Sequence, residues 1–134
     1  MIKAEFAHIA QKAIIDKRTN QLSVINIIHG FGTVGFPFVV PEFSFVMRTT
    51  RDIDTDPKSV KIDIIIKQQK KELLKNLFKI NFEDKKSNNT VVNIFGLVVE
   101  KPTPVEIICK IENKQIIKLK VPIEKKTPGG MALK

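Results

Sequence analysis

Two period-two stripes near the C-terminus constrain this chain more than any other feature. From Val105 to Glu112 every second residue is apolar: Val105, Ile107, Cys109 and Ile111. Beyond Gln115 the same stripe runs through Ile117, Leu119, Val121 and Ile123. Side chains alternate across a strand, so each stripe is one buried sheet face. Glu112-Asn113-Lys114 separates them as a turn, and the pair reads as a β-hairpin. An antiparallel β domain carries no default chemistry, so function must be argued from sites.

Upstream, residues 4–15, 22–31, 43–50, 59–67, 72–82 and 91–99 read as strands, which makes about eight with the hairpin. Residues 22–31 and 91–99 are apolar on both faces in part and are expected at sheet centres. Residues 72–82 fit two periods. Leu73, Leu74, Leu77 and Phe78 recur at helical spacing, while Leu74, Phe78, Ile80 and Phe82 fit one strand face. As a helix, Gln68–Ile80 would be a basic amphipathic membrane binder. The tight polar turn Gln68-Gln69-Lys70-Lys71 favours a hairpin strand instead. Pro122 lacks an N–H, which places the last strand at an edge or its end at a bulge. The expected fold is all-β, a two-layer antiparallel sandwich over residues 1–123, followed by a flexible basic tail at 124–134.

The length of 134 residues fits one domain. No apolar run approaches the roughly 18 residues of a membrane span, and no secretory leader is visible. The lone cysteine, Cys109, lies on a buried stripe and reads as a small hydrophobe. A cytoplasmic setting is expected. The net charge of +9 raises nucleic-acid binding. The charge is almost all lysine, however, with only Arg18, Arg48 and Arg51 suited to bidentate phosphate or base contacts. There is no Trp or Tyr, so stacking would fall to Phe alone. A solvated exterior explains most of the charge. Residues 101–134 hold +5 of it, which places any basic patch at Lys110, Lys114, Lys118, Lys120, Lys125 and Lys126.

Few residue clusters suggest chemistry. Asp52, Asp54 and Asp56 have the alternate spacing of a calcium loop, but Pro57 stands where an EF-hand needs glycine. Loop acids ending in an Asp-Pro turn are the simpler reading. His8 and His29 show no metal spacing and read as hydrogen-bonded structural residues. Gly30, Gly32 and Gly35 have the wrong spacing for a dinucleotide motif and read as turn or bulge positions. Residues 31–45 carry five Phe and two prolines. This segment either caps one end of the sandwich or, through Phe36, Phe38 and Val39, binds a partner. Gly129-Gly130 near the C-terminus is similar to the tails of conjugated modifiers, and Met131–Lys134 would then need trimming.

The order of segments "IDKRTNQLSVINIIHGF", "FPFVVPEFSFVMR", "KIDIIIKQQKKELL" and "VVNIFGLVVEKP", closed by the hairpin, resembles a family of short, functionally uncharacterised bacterial proteins. Phe36–Phe43 is its most specific part, and the similarity spans residues 4–123. The resemblance implies an immunoglobulin-like sandwich and supplies no reaction. The chain departs from the pattern in its lysine-rich surface, in Val105 where an aromatic is common, and in its basic tail.

The resulting expectation is a non-enzymatic protein-interaction or scaffold module that needs no cofactor or metal. Its partner would be another protein encoded nearby or a second copy, and not a membrane. Candidate contacts are Phe36, Phe38, Val39, Lys118 and Lys120. Polyanion binding through the C-terminal lysines is the alternative. A tail-processed modifier using Gly129 and Gly130 is the third.

Overall fold

The computed structural model describes residues 1–126. Ten strands follow in order: β1 (Lys3–Ile15), β2 (Leu22–Ile27), β3 (Phe31–Thr33), β4 (Phe38–Thr50), β5 (Ser59–Gln68), β6 (Lys71–Asn81), β7 (Ser87–Val99), β8 (Val105–Ile111), β9 (Lys114–Val121) and β10 (Ile123–Lys125). One antiparallel sheet runs β2-β1-β4-β7 and the other β6-β5-β8-β9. β3 and β10 form a short parallel pair. With β2 set aside, β1-β4-β7 against β6-β5-β8-β9 is the order A-B-E against C′-C-F-G of an immunoglobulin-type sandwich.

The expected strand at 72–82 is present as β6, which ends at Asn81, as the hairpin argument requires, so Gln68–Ile80 is not an amphipathic helix. Among the described residues no helix is long and apolar enough to cross a membrane. The last hairpin turns at Glu112 and Asn113, both with positive φ (51° and 66°). This is the two-residue geometry whose twist matches paired strands. Pro122 separates β9, an edge strand, from β10.

Two expectations fail. β2 and β7, expected at sheet centres from their apolar content, are both edge strands. Their apolar residues do not signal burial on two faces, because Ile25 and Ile27 on β2 and Phe95 and Val98 on β7 remain exposed. The strand count rises from about eight to ten through β3 and β10. These lie in a stretch read as the end of a longer strand and in the start of the tail. Glu124 and Lys125 lie in β10, and the Lys126 N–H donates to the Thr33 carbonyl at 2.6 Å.

The core comes from alternate residues of facing strands. Phe43, Phe45 and Met47 of β4 meet Ile62, Ile64 and Ile66 of β5 and Val105, Ile107 and Cys109 of β8, all fully buried. Each such side chain contributes roughly 1.5–3 kcal/mol by leaving water. At one end Arg51 closes the sandwich. Its guanidinium donates to the carbonyls of Lys85 (2.9 Å), Glu83 (3.2 Å) and Asp56 (3.3 Å), and it lies over the Phe82 ring. A buried cation is tolerated here because its donors find acceptors.

Besides single-strand bulges in the β1–β4, β5–β6 and β8–β9 pairs, the period-two pattern breaks at one level in two paired strands together. On β4 the inward residues are Phe38 and Val40, then Phe43, Phe45 and Met47. On β7 they are Ile94, then Leu97 and Val99. Each strand has one extra residue at the same level, so the register continues from Val40↔Leu97 to Glu42↔Phe95. Gly96 takes the extra residue in the left-handed region (φ 66°), where a side chain would be strained. Pro41 lies at the same level on β4 and needs no ladder donor. The phase change turns Val39, Phe95 and Val98 outward, at 54%, 64% and 45% exposure.

Candidate binding cleft

A cleft of about 640 Å³ opens at the end of the sandwich beside this break. One wall comes from the end of β2 and the turn into β3, at Ile28, His29 and Gly30. The opposite wall is the start of β4, from Phe38 to Glu42. β10 contributes Glu124, and Lys126 follows it. "INIIHGF" and "FPFVVPEF", two segments that carry the family resemblance, therefore face each other across one concavity.

Sequence explains how each wall is placed. The side chains of Glu124 and Lys126 lie over Gly30 and Gly32. A Cβ on Gly32 would stand 2.1 Å from Lys126 Cε, and one on Gly30 would stand 2.9 Å from Glu124 Oε1. Both glycines keep ordinary φ; Gly30 lies in the turn into β3, as expected, whereas Gly32 lies within β3. Across the cleft, the Asn26 side-chain amide donates to Gln11 Oε1 at 2.7 Å. These residues alternate with the outward Ile25, Ile27 and Lys12, so they face the cleft.

The Phe-rich segment divides between the two roles proposed for it. Phe36 and Phe38 are half-buried, pack on the core and meet edge to face with ring centroids 5.6 Å apart. They form a cap, and Phe38 also lines the cleft. Val39 is exposed on its rim. The segment is ordered by a turn in which Thr33 Oγ1 donates to the Gly35 carbonyl at 2.6 Å.

Lys118 and Lys120 lie elsewhere. They project from β9 on the outer face of the second sheet, so they do not share a site with Val39. Lys118 Nζ pairs with Glu106 Oε2 at 2.6 Å. That hydrogen bond, helped by the charges of Lys118, Lys67 and Lys120, holds the Glu106 carboxyl below its usual range against the opposing effect of burial. The six C-terminal lysines do not form one patch. Lys110, Lys118 and Lys120 share the outer face, Lys114 begins β9, Lys125 lies on β10 and Lys126 lines the cleft. Gly129 and Gly130 lie outside the described residues.

The remaining chemical candidates disperse. His8 stacks on Phe6 with ring centroids 5.7 Å apart on the outer face of the first sheet, and His29 lines the cleft. Both are exposed, so the expected pair of structural histidines is not formed. Asp56 Oδ2 accepts from the Asp52 N–H and Asp52 Oδ1 from the Asp54 N–H, so these carboxylates hold their own loop. Among the described residues no three His, Cys, Asp or Glu side chains converge as metal ligands would. Cys109 is fully buried, and burial pushes its thiol up to about 12. A thiol kept protonated is a poor nucleophile.

The cleft offers an apolar floor at Ile28, Phe31, Phe38 and Val40 and hydrogen-bonding groups at Gln11, Asn26, His29, Glu42, Glu124 and Lys126. Its lining contains no Ser, Thr or Cys. Such a surface can hold an extended chain by apolar anchors and polar contacts together. No curated protein matches the chain. A family model matches residues 5–124, and the chain belongs to that family, DUF6941, a family of unknown function.

Proposed function

We propose that this chain is a non-catalytic protein-binding module that takes up a segment of a partner protein at the end cleft. The observation that carries this reading is the apolar surface running out of the cleft at the β4–β7 break. Val39 lines the cleft and pairs with Val98, and Glu42 of the cleft pairs with Phe95. Three exposed hydrophobes beside a cleft with a polar rim have the anatomy of a protein interface, apolar at the centre and polar around it. The setting we propose is a reducing bacterial cytoplasm, in keeping with a single buried cysteine. The partner we propose is encoded nearby.

The test is co-purification at native expression level, comparing wild type with the double variant V39E/F95E. Both positions are exposed, so the variant is expected to melt as wild type does. The wild-type chain should bring down a stoichiometric partner that the variant loses. A wild-type chain that stays free, or a partner retained by the variant, contradicts the reading.

A further inference from the structure

The outer face of the second sheet is a lysine grid that the sequence hides by dividing it among four strands. The registers define its rows across β6, β5, β8 and β9. One row reads Lys75–Ile65–Ile108–Lys118 and the next Glu72–Lys67–Glu106–Lys120. On the other side lie Leu77–Asp63–Lys110–Gln115 and then Lys79–Lys61. Seven lysines stand against three carboxylates on this one face. Only Lys118 has an ion-pair partner among the described residues. Strands lie about 4.8 Å apart, so a full row spans roughly 14 Å. The face is apolar at its centre, where Ile65 pairs with Ile108, and at Leu77 on the edge strand β6, which is 59% exposed.

We propose that this face is a second docking surface, for an acidic protein segment that presents carboxylates and apolar side chains together on one side. Charge complementarity selects an anion. The rest of the face selects a protein over a nucleic acid. It presents no arginine for bidentate phosphate contacts and no aromatic ring for base stacking. Glu106, held ionised by three lysines, and Asp63 interrupt any continuous track of phosphates. A segment with every second residue Glu or apolar in turn fits what is there, because those residues share one face when the chain is extended. Its apolar side chains cover Leu77 and Ile65 while its carboxylates reach lysines on either side, whose stems pack along the apolar rows. The inference is independent of the end cleft, which lies away from this face.

Fluorescence anisotropy with defined probes tests it on the full chain. The probes are a short labelled Glu-Val peptide of repeating Glu-Ser-Val-Ser, which puts Glu and Val on one face when extended, poly-glutamate of equal charge, and single- and double-stranded DNA of equal charge. Each is titrated at about 50 and 200 mM salt. The Glu-Val peptide is expected to bind more tightly than poly-glutamate and at least about tenfold more tightly than either DNA. K75E/K118E should weaken it at least about tenfold, and K61E/K79E, from the other end of the grid, should weaken it too. K12E/K17E makes the same charge change away from the face and should leave it within about twofold. Melting curves identify a folded face variant for the comparison. DNA bound as tightly as the peptide, a control that weakens binding as much as the face variants, or no peptide binding at the lower salt overturns the proposal. None of these outcomes bears on the cleft, which V39E/F95E tests separately.

Discussion

The two sheets bury the same kind of surface against each other and present different surfaces to their surroundings. Inward, β4 offers Phe43, Phe45 and Met47, and β5 offers Ile62, Ile64 and Ile66. Outward, the second sheet carries the lysine grid. The first sheet carries Val46, Ser44, Val91 and the exposed isoleucines 25 and 27. Their edges differ as well. β6 and β9 are lysine-rich, whereas β2 and β7 contain no charged residue. Unprotected edges invite strand pairing with other chains, and lysine is one common safeguard. The uncharged edges carry another: Asn26 on β2 and Gly96 on β7 both take positive φ (55° and 66°), which breaks a regular pairing template. One sheet is guarded by charge and the other by backbone shape. That leaves the first sheet free to keep exposed apolar side chains beside Lys12, His8 and Arg48 on its outer face, and the proposed binding surface emerges where its backbone breaks.

This contrast is open to direct attack. Val46 faces outward yet is fully buried between its neighbours His8 and Val91, whereas Leu77 on the lysine face is 59% exposed. Val46→Asp is expected to cost about 3–5 kcal/mol in urea denaturation, as for a buried unpaired charge. Leu77→Lys should stay within about 0.5 kcal/mol. Equal costs at the two sites would mean that the outer faces are alike in energy.

Arg51 is the next largest effect. Arg51→Ala removes three hydrogen bonds, two joining the β4–β5 loop to the β6–β7 turn and one within that loop, and is expected to cost about 2–3 kcal/mol. Arg51→Lys should recover little of it, because an ammonium lacks the planar fork. Recovery by lysine would show that charge alone holds this end.

On the lysine face, Glu106 supplies a pH dependence whose sign follows from its lowered carboxyl. Its stabilisation is present above the unfolded value of 4.5 and is lost as pH falls through the lower folded value. Lys118 stays 43% exposed, so the effect is small, about 0.2–1 kcal/mol. Wild type should lose that much relative to Glu106→Gln between neutral and acid pH. Parallel stability curves for the two proteins would remove the pair from the account. Smallest of all, Gly32→Ala meets only the flexible end of Lys126 and should cost about 0.5 kcal/mol or less. A large loss there would show that β10 is held more rigidly than its contacts indicate.

Period-two alternation made most of the sandwich legible in the sequence. It placed β8, β9 and β5, because one buried face leaves that signature, whereas residues 72–82 fitted two periods and were resolved as strand by the tight polar turn before them. It misplaced β2 and β7 because apolar residues on an edge strand resemble those on a central one when exposure is unknown. The start of β4 read as loop because the paired extra residues at Pro41 and Gly96 break the alternation on both strands. The cleft shows the same limit. Phe38 and Val39 were visible as candidates, but Gln11, Asn26, His29 and Glu124 are brought to them only by pairing between distant segments. The lysine grid left a trace in Lys61-x-Asp63-x-Ile65-x-Lys67, yet its breadth depends on register, which no single strand records.

The central claim is that the apolar surface at the β4–β7 break is where a partner protein docks. Hydrogen–deuterium exchange of the chain with and without its co-purified partner tests it most directly. The account predicts new protection at residues 38–42 and 94–98 in the complex. Protection confined to other segments, with these two exchanging as they do in the free chain, would contradict it.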